Sequence, residues 1–264
     1  MNLPTVSETI NKMIEAQPPH SEDVVHLEAV SVRYRVPTER IGTFKEYMIR
    51  TLKRQVRMRT FWAVNDITLN VHRGEVFGFI GNNGAGKSTL LKVIARVLRP
   101  TKGRVIVRGR LAPLLELGAG FHSELTGKEN IFLNGALLGY SHSEMQEKYQ
   151  QIVDFSELGG FIDAPIRTYS TGMYARLGFS VATAHEPDIL IVDEILGVGD
   201  ESFQGKCAER IAQFRQNGTS ILLVSHSMVT IESMCQRAAW LDHGKLMAVG
   251  EPSQIIREYR EKGR

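Results

Sequence analysis

The sequence predicts an α/β fold with a mixed sheet, a small antiparallel β-subdomain and an inserted helical subdomain. The first observation is a glycine-rich loop at residues 81–89, which directly follows an apolar strand and precedes an amphipathic helix at 90–98. The second is an apolar strand at 189–192 that ends in two consecutive carboxylates. The third is a mostly helical stretch, 127–163, between these two features. Strand–loop–helix units are typical of a sheet with helices on its faces. The helical stretch therefore predicts a subdomain inserted between the two halves of that sheet.

Composition limits the classes of protein that need to be considered. The chain has 264 residues, 42% hydrophobic and 23% charged, as expected for one large α/β domain with a small subdomain. No apolar run reaches the roughly 18 to 20 residues that span a bilayer, and the N-terminus lacks a signal-peptide pattern, so we expect residence in the cytosol. A net charge of +3 is too small to indicate nucleic-acid binding. Cys207 and Cys235 lack metal-ligand spacing and are expected to be packed thiols.

The N-terminal part predicts an extension followed by strands. Three prolines among polar residues favour a loosely docked extension at 1–22, ahead of a main domain at 23–257. Alternating apolar residues predict strands at 24–34 and 62–71, and a third strand at 76–80 leads into the glycine-rich loop.

Between the first two strands, the segment 36–60 predicts a basic amphipathic helix. Its Arg and Lys residues far outnumber its two acidic residues, Glu39 and Glu46, and its apolar residues have helical spacing. Two interpretations are open at this point. The helix is either a solvated helix packed on its own domain, or one that lies at an anionic membrane surface or against a partner.

Beyond the loop, a strand is predicted at 103–108 and an apolar, glycine-punctuated connector at 111–120. The helical subdomain is predicted over 121–183. Within it, Ser141 with Glu144 three residues later indicates a capping box at a helix start.

The C-terminal part returns to alternating strands and helices. A helix is predicted at 204–217 and a strand at 220–224. The four-residue turn 242–245 between two apolar runs predicts a hairpin. Residues 258–264 are expected to form a short tail.

The glycine-rich loop has the spacing of a phosphate-binding loop. A triphosphate needs a dense array of backbone N–H donors, and glycine lets the chain turn tightly around it. Lys87 can reach the β- and γ-phosphates, and the Ser88 hydroxyl can ligate Mg²⁺ at a helix start whose positive end faces the anion. We therefore predict a P-loop NTPase fold that binds a nucleoside triphosphate through Gly81, Asn82, Asn83, Gly84, Ala85, Gly86, Lys87, Ser88 and Thr89.

Two further strand ends carry candidate catalytic groups. Asp193 and Glu194 follow a buried strand, and adjacent residues there can point in different directions. Asp193 can therefore hold Mg²⁺ while Glu194 polarises the attacking water. His226 also follows a strand, at the edge where doubly wound sheets bind ligands, and could donate a hydrogen bond to the γ-phosphate.

A second anion site is predicted at the helix start 169–173. Ser170 and Gly172 offer a hydroxyl and exposed N–H groups at the positive end of a helix. One nucleotide hardly needs two cradles, so this one is expected to serve the nucleotide of a second copy, with a simple N-cap serine as the alternative.

In order and spacing, these motifs resemble those of ATP-binding cassette transporter ATPases over residues 24–256. The resemblance implies ATP and Mg²⁺ as ligands and a head-to-tail homodimer that sandwiches two ATP molecules. It implies catalytic roles for Lys87, Glu194 and His226, with Mg²⁺ held by Ser88 and Asp193. It also implies that Asp200 lies on a loop that communicates across the dimer. The signature element that reaches the partner's ATP would be Ser170, Thr171, Gly172 and Met173.

The chain is similar to one branch of that family in particular, the ATPase subunits that export polysaccharides such as O-antigen, capsule or teichoic acid. The similarity rests on the signature Tyr-Ser-Thr-Gly-Met, the runs 114–121 and 125–130, and the basic insertion. It implies two copies of a polytopic permease, a peripheral position on the cytoplasmic face of the inner membrane, and no nucleic-acid partner. In that branch the inserted helix lies near the membrane, and the region of residues 117–118 contacts the permease.

The chain departs from the family pattern at two positions. No glutamine occurs between Lys87 and Gln146, so Glu116 is the expected equivalent of the Mg²⁺-sensing glutamine, with His122 as the alternative. Tyr34 fits the family order for the aromatic that stacks on adenine, with Phe61 or Trp62 as alternatives.

Two other functions are kept as alternatives. One is export of a different lipid or amphipathic substrate. The other is a soluble ATPase that works on nucleic acid or ribosomes, but such proteins carry long coiled coils or two ATPase units, and the sequence shows neither.

Overall fold

The computed structural model describes residues 23–37, 58–115, 117–193, 199–225 and 227–262. The strands are β1 Asp23–Pro37, β2 Met58–His72, β3 Val76–Ile80, β4 Lys102–Val107, β5 Leu111–Leu114, β6 Ile189–Asp193, β7 Ser220–Val224, β8 Arg237–Asp242 and β9 Lys245–Gly250. The helices are α1 Lys87–Ile94, α2 Gly127–Leu137, α3 His142–Ser156, α4 Thr171–Ala182, α5 Glu201–Gln216, α6 Met228–Met234 and α7 Pro252–Lys262. Short 3₁₀ turns, Gly159–Phe161 and Ile166–Thr168, lie between α3 and α4.

The main sheet has six strands in the order β5-β6-β7-β3-β8-β9. Neighbouring strands from β5 to β8 are parallel, and β9 pairs with β8 antiparallel. Strands β3 and β7 are buried along their whole length, which explains their uninterrupted apolar sequence. The carboxyl ends of β3, β6 and β7 meet at one edge of the sheet, where the predicted motifs follow.

The smaller sheet is antiparallel, in the order β2-β1-β4. A single apolar cluster joins the inward residues of this sheet to α1 and to one face of the main sheet. It includes Phe77, Phe79 and Leu90. The predicted α/β architecture with a mixed sheet and an antiparallel subdomain is thus confirmed.

The opposite face of the main sheet is covered by α4, α5, α6 and α7. Alternate strand residues such as Leu190 and Trp240 point to this side. Cys207 and Cys235 lie in this layer as free, buried thiols, and burial raises the pKa of each to about 12. The prediction of packed thiols is confirmed.

Helices α2, α3 and part of α4 share an apolar cluster of their own. Capping boxes begin two of these helices. In α3, the Ser141 hydroxyl accepts from Glu144 N and the Glu144 carboxylate accepts from Ser141 N, as predicted. Thr126 and Glu129 form the same arrangement at α2. Each box satisfies backbone N–H groups that a helix start would leave without partners.

Several boundaries differ from the sequence prediction. The predicted connector 111–120 begins with β5, which pairs with β6 although it contains Pro113; as the edge strand of this sheet, β5 tolerates the missing donor. At the ends of the basic insertion, Arg35 pairs with Thr60 in the antiparallel ladder, so these ends are strand rather than helix. The predicted helix can then lie only within 38–57, which is outside the described residues. The predicted tail at 258–264 is helical as far as Lys262, because α7 continues through it.

Candidate functional site

The loop between β3 and α1 is shaped by close backbone contacts. A Cβ on Gly81 would lie 2.1 Å from the Leu241 carbonyl oxygen, and one on Gly86 would lie 2.4 Å from the Ala63 carbonyl oxygen. Both glycines also have positive φ angles, 144° and 105°. Larger residues would collide with fixed backbone at both positions. Gly84, in contrast, has open space around it, as a loop that faces a ligand requires.

Lys87 is the first residue of α1 and its side chain turns back onto the loop. Nζ donates to the carbonyl oxygen of Gly81 at 2.6 Å and to that of Asn82 at 3.1 Å. The residue is only 7% exposed. Within the described part of the chain, no side chain caps the start of α1, so its first N–H groups face the loop. A buried ammonium beside a helix N-terminus forms a site for an anion.

Ser88 and Asp193 bring a hydroxyl and a carboxylate together. Ser88 Oγ lies 3.5 Å from Asp193 Oδ2, although the residues come from α1 and the end of β6. Hard oxygen ligands of this kind fit Mg²⁺, which binds proteins through one or two such groups and otherwise keeps water or phosphate oxygens. The residues present therefore fit the predicted magnesium ion.

A cavity of about 430 Å³ opens over the loop. It is lined by Tyr34, Phe61, Trp62, Ala63, Asn83, Gly84, Ala85, Gly86, Lys87, Ser88, Thr89, Asp193, Val224 and His243. The cavity thus combines the phosphate-loop residues, the Ser88–Asp193 pair and all three candidate aromatics in one place.

The three aromatics do not have equivalent surroundings. The rings of Tyr34 and Phe61 lie opposite each other on β1 and β2, with centroids 5.8 Å apart. Tyr34 also packs on the apolar cluster that contains α1. Trp62 is instead in contact with two cations, because Arg33 and Lys102 each lie 5.5 Å from its ring centroid. All three aromatics line the cavity, so stacking of adenine on Tyr34 stays a prediction.

His243 also lines the cavity, although no motif of the sequence predicted it. It lies in the turn between β8 and β9, has a positive φ of 45°, and its Nδ1 lies 2.9 Å from the Asp242 carboxylate. The available signal was topological, because β8 runs parallel to β3 and its turn must reach the same edge.

Glu194, His226 and Glu116 lie outside the described residues, so their predicted roles stay predictions. Asp193, the residue before Glu194, ends β6, and Ser225, the residue before His226, follows the adjacent strand β7. His122, the alternative to Glu116, is held within its own loop. Its N–H donates to Asn130 Oδ1 at 2.7 Å and its Nδ1 accepts from Glu124 N at 3.3 Å.

The signature element lies at the start of α4. Ser170 is the N-cap, and its Oγ accepts from Met173 N at 3.2 Å. Ser170 and Thr171 are exposed, and a Cβ on Gly172 would meet only the Ser170 hydroxyl oxygen, at 3.8 Å. Among the described residues that line the 430 Å³ cavity, none comes from residues 170–173. The element is therefore an exposed helix start that lies outside the cavity over its own phosphate loop.

Asp200 caps α5 and is linked to α4, the helix that begins with the signature element. Its Oδ1 accepts from Phe203 N at 3.0 Å, and its Oδ2 accepts from Arg176 on α4 at 2.5 Å. The Phe203 N–H and then the Arg176 cation lower the pKa of this carboxyl. Arg176 also binds Glu157 at 2.7 Å. Arg176 was not predicted from the sequence, because no local pattern marks a residue whose partners lie 19 and 24 positions away.

A second, smaller cavity of about 110 Å³ lies where the helical subdomain meets the main sheet. It is lined mainly by apolar groups, including Leu117, Gly118 and the exposed side chains of Val97 and Leu137. The Tyr174 hydroxyl on α4 donates to the Gly118 carbonyl oxygen at 2.8 Å. This cavity is thus connected directly to the helix that begins with the signature element.

Comparison with known proteins gives consistent results at three levels. The ABC transporter family model matches residues 64–197. The O-antigen export system ATP-binding protein RfbB of Klebsiella pneumoniae is 52% identical over 203 residues, which are 77% of this chain and 82% of that protein. The RfbB protein of Myxococcus xanthus is 47% identical over 92% of this chain and 57% of its own length. The teichoic acids export ATP-binding protein TagH of Enterococcus faecalis is 44% identical over 78% of this chain and 46% of its own length.

Solved structures agree with the fold. A dimeric ATP-binding cassette in a post-hydrolysis state, bound to ADP and Pi, superposes with a TM-score of 0.64 at 20% identity, covering 86% of this chain and 98% of that one. The ATP-binding subunit of an ABC transporter gives 0.67 at 24% identity, covering 91% and 95%. With the phosphate loop, the Ser88–Asp193 pair and the exposed signature element in place, the chain belongs to the ABC transporter ATPase family.

Proposed function

We propose that this chain is the ATP-hydrolysing subunit of an exporter that moves a cell-surface polysaccharide or lipid-linked glycan across the cytoplasmic membrane. The observation that carries the proposal is the 52% identity to an O-antigen export ATP-binding protein over 82% of that protein's length. The similarity to a teichoic acids export protein supports the same substrate class, because both relatives are named for surface-glycan export.

Hydrolysis uses the residues at the carboxyl edge of the main sheet. Lys87 neutralises the β- and γ-phosphates from its buried position, and the loop N–H groups hold the phosphate oxygens. Ser88 and Asp193 would hold Mg²⁺, which would neutralise phosphate charge when bound. Glu194 accepts the proton of the attacking water, and His226 donates a hydrogen bond to the γ-phosphate. Tyr34, paired with Phe61, stacks on adenine.

Two copies of the chain act together. The exposed start of α4 places Ser170, Thr171, Gly172 and Met173 against the nucleotide bound by the partner's phosphate loop. Asp200 is exposed and is tied to α4 through Arg176. ATP binding closes this head-to-tail dimer, and hydrolysis with phosphate release reopens it.

The permease docks at the 110 Å³ apolar cavity. Its lining by Leu117, Gly118 and the exposed Val97 and Leu137 suits an apolar segment of a membrane subunit. The Tyr174–Gly118 hydrogen bond transmits movement of the permease to α4, the helix that begins with the signature element. No helix among the described residues is long and apolar enough to cross a bilayer. The chain is held at the cytoplasmic face of the inner membrane by two permease copies and the basic segment 36–60.

Co-purification tests this proposal. The tagged chain is isolated from native membranes in detergent, and the retained proteins are identified by mass spectrometry. We expect a polytopic permease encoded beside glycosyltransferases. Recovery of only soluble or nucleic-acid-linked partners would overturn the transport assignment. Only the assignment as an ATPase would then remain.

A further inference from the structure

Outside all of the motifs, the C-terminal helix α7 reaches the phosphate loop. The Tyr259 hydroxyl donates a hydrogen bond to Asn82 Oδ1 at 2.8 Å, across 177 positions of sequence. Asn82 is the second residue of the loop and its side chain lies at the surface. Without this contact, that side chain would be free to rotate in solvent.

Packing behind Tyr259 directs its hydroxyl. Helix α7 buries Ile255 and Ile256 against the main sheet, and the Tyr259 ring packs edge-to-face on Trp240, with centroids 5.8 Å apart. Trp240 lies on β8 in register with Ile80, the residue that immediately precedes the loop. The ring is therefore held by buried aromatic and aliphatic contacts, and the contact with Asn82 is made from a rigid support.

Asn82 in turn holds two elements of the loop. Its carbonyl oxygen accepts from Lys87 Nζ at 3.1 Å and from Ala85 N at 3.1 Å. The position of this carbonyl depends on the orientation of the Asn82 backbone, which the Tyr259 bond restricts. A chain of contacts thus runs from α7 through Asn82 to the ammonium of Lys87.

We propose that Tyr259 is a positioning residue for nucleotide binding, which orders the phosphate loop through Asn82 before the nucleotide arrives. The proposal rests on the proposed function only in that the loop binds a nucleotide. Tyr259 is not among the described residues that line the 430 Å³ cavity. It acts by reducing the number of loop conformations from which binding must select.

The test is a double-mutant cycle that uses binding of a fluorescent ATP analogue to the isolated subunit. Y259F removes the hydroxyl and keeps the ring on Trp240, so it should weaken binding by about 2- to 10-fold, as expected for one lost hydrogen bond. In the N82A background, Y259F should have no further effect, because the acceptor is already absent. A purely structural role of Tyr259 would give the same loss in both backgrounds and would overturn the proposal.

E258Q is the matched control. Glu258 is the preceding residue on α7, and its carboxylate contacts Gln254 and Lys262 of the same helix rather than the loop. This variant should bind the analogue like the wild type. If E258Q lowers affinity as much as Y259F does, the effect belongs to the helix as a whole and the proposed contact is wrong.

Hydrogen–deuterium exchange provides a readout that requires no nucleotide. In the nucleotide-free protein, Y259F should raise the exchange of loop residues 82–86 by about 2- to 10-fold and leave the hairpin β8–β9 unchanged. Unchanged loop exchange would overturn the proposal. Failure of the wild type to bind any nucleotide would refute ATP binding instead, and the exchange measurement would still decide the role of Tyr259.

Discussion

At the scale of single residues, the nucleotide site depends on groups whose conformational freedom is restricted by neighbouring residues. Gly81 and Gly86 allow backbone to approach backbone closely enough to form the loop. The loop carbonyls then hold the Lys87 ammonium in place, which leaves little reorganisation when a phosphate binds. The residue that accepts the proton of the attacking water therefore acts beside a loop whose geometry is already set.

The proposed base is tested by E194Q. The amide keeps the size of the carboxylate and cannot accept the proton, so hydrolysis should fall by roughly 100-fold or more while ATP binding stays near that of the wild type. ATP should then trap a dimer that size-exclusion chromatography separates from the monomer. Steady-state hydrolysis close to that of the wild type would exclude Glu194 as the base.

At the scale of elements, the Arg110–Glu144 ion pair and the Tyr174 hydroxyl link the helical subdomain to the rest of the chain. Backbone N–H donation from Ser141, then its hydroxyl and the Arg110 cation, lower the pKa of Glu144 from 4.5 to about 2. A carboxyl whose pKa is lowered on folding stabilises the protein above the pKa of the unfolded state. That contribution is lost as the pH falls from about 4.5 towards 2.

E144Q tests this contribution through the pH dependence of thermal unfolding. Because the amide carries no charge, the variant should have a Tm about 1–2 °C below that of the wild type at pH 7, and the difference should shrink below about pH 4.5. E147Q changes an exposed carboxylate on the same helix and serves as control. A pH-independent difference would show that the charge of Glu144 does not stabilise α3.

Y174F tests the link between the 110 Å³ cavity, where we propose that the permease docks, and α4, the helix that begins with the signature element. The change removes the hydrogen bond to Gly118 and keeps the ring on Phe121. Basal hydrolysis by the isolated subunit should remain near that of the wild type, while the permease-stimulated rate should fall by about 2- to 10-fold.

Y149F changes another tyrosine of the same subdomain and should keep the full stimulation. Equal stimulation of Y174F and the wild type would show that this hydrogen bond does not carry the coupling.

At the scale of the whole molecule, local sequence patterns predicted the residues of the nucleotide site better than they predicted contacts between distant parts of the chain. Gly81, Lys87 and Asp193 lie in short motifs at the ends of apolar strands, so their meeting followed from the geometry of parallel sheets. The edge strand β5 was missed because Pro113 and nearby glycines mask a short strand. Arg176 and Tyr259 were missed for another reason: their partners are distant in sequence, and only the packed fold brings them together.

In the proposed function, one ATPase cycle runs in a dimer and is coupled to a membrane partner through the helical subdomain. ATP should be needed both to close the dimer and, through its hydrolysis, to reset it. A variant that binds ATP and cannot split it should then stop export while leaving the exporter assembled.

The most direct test is the surface glycan of a strain from which this chain has been deleted. Complementation with the wild-type chain should restore the surface polysaccharide. Complementation with E194Q should leave the polysaccharide inside the cell, although the variant is present at the membrane. Surface polysaccharide that is unchanged by the deletion would contradict the account.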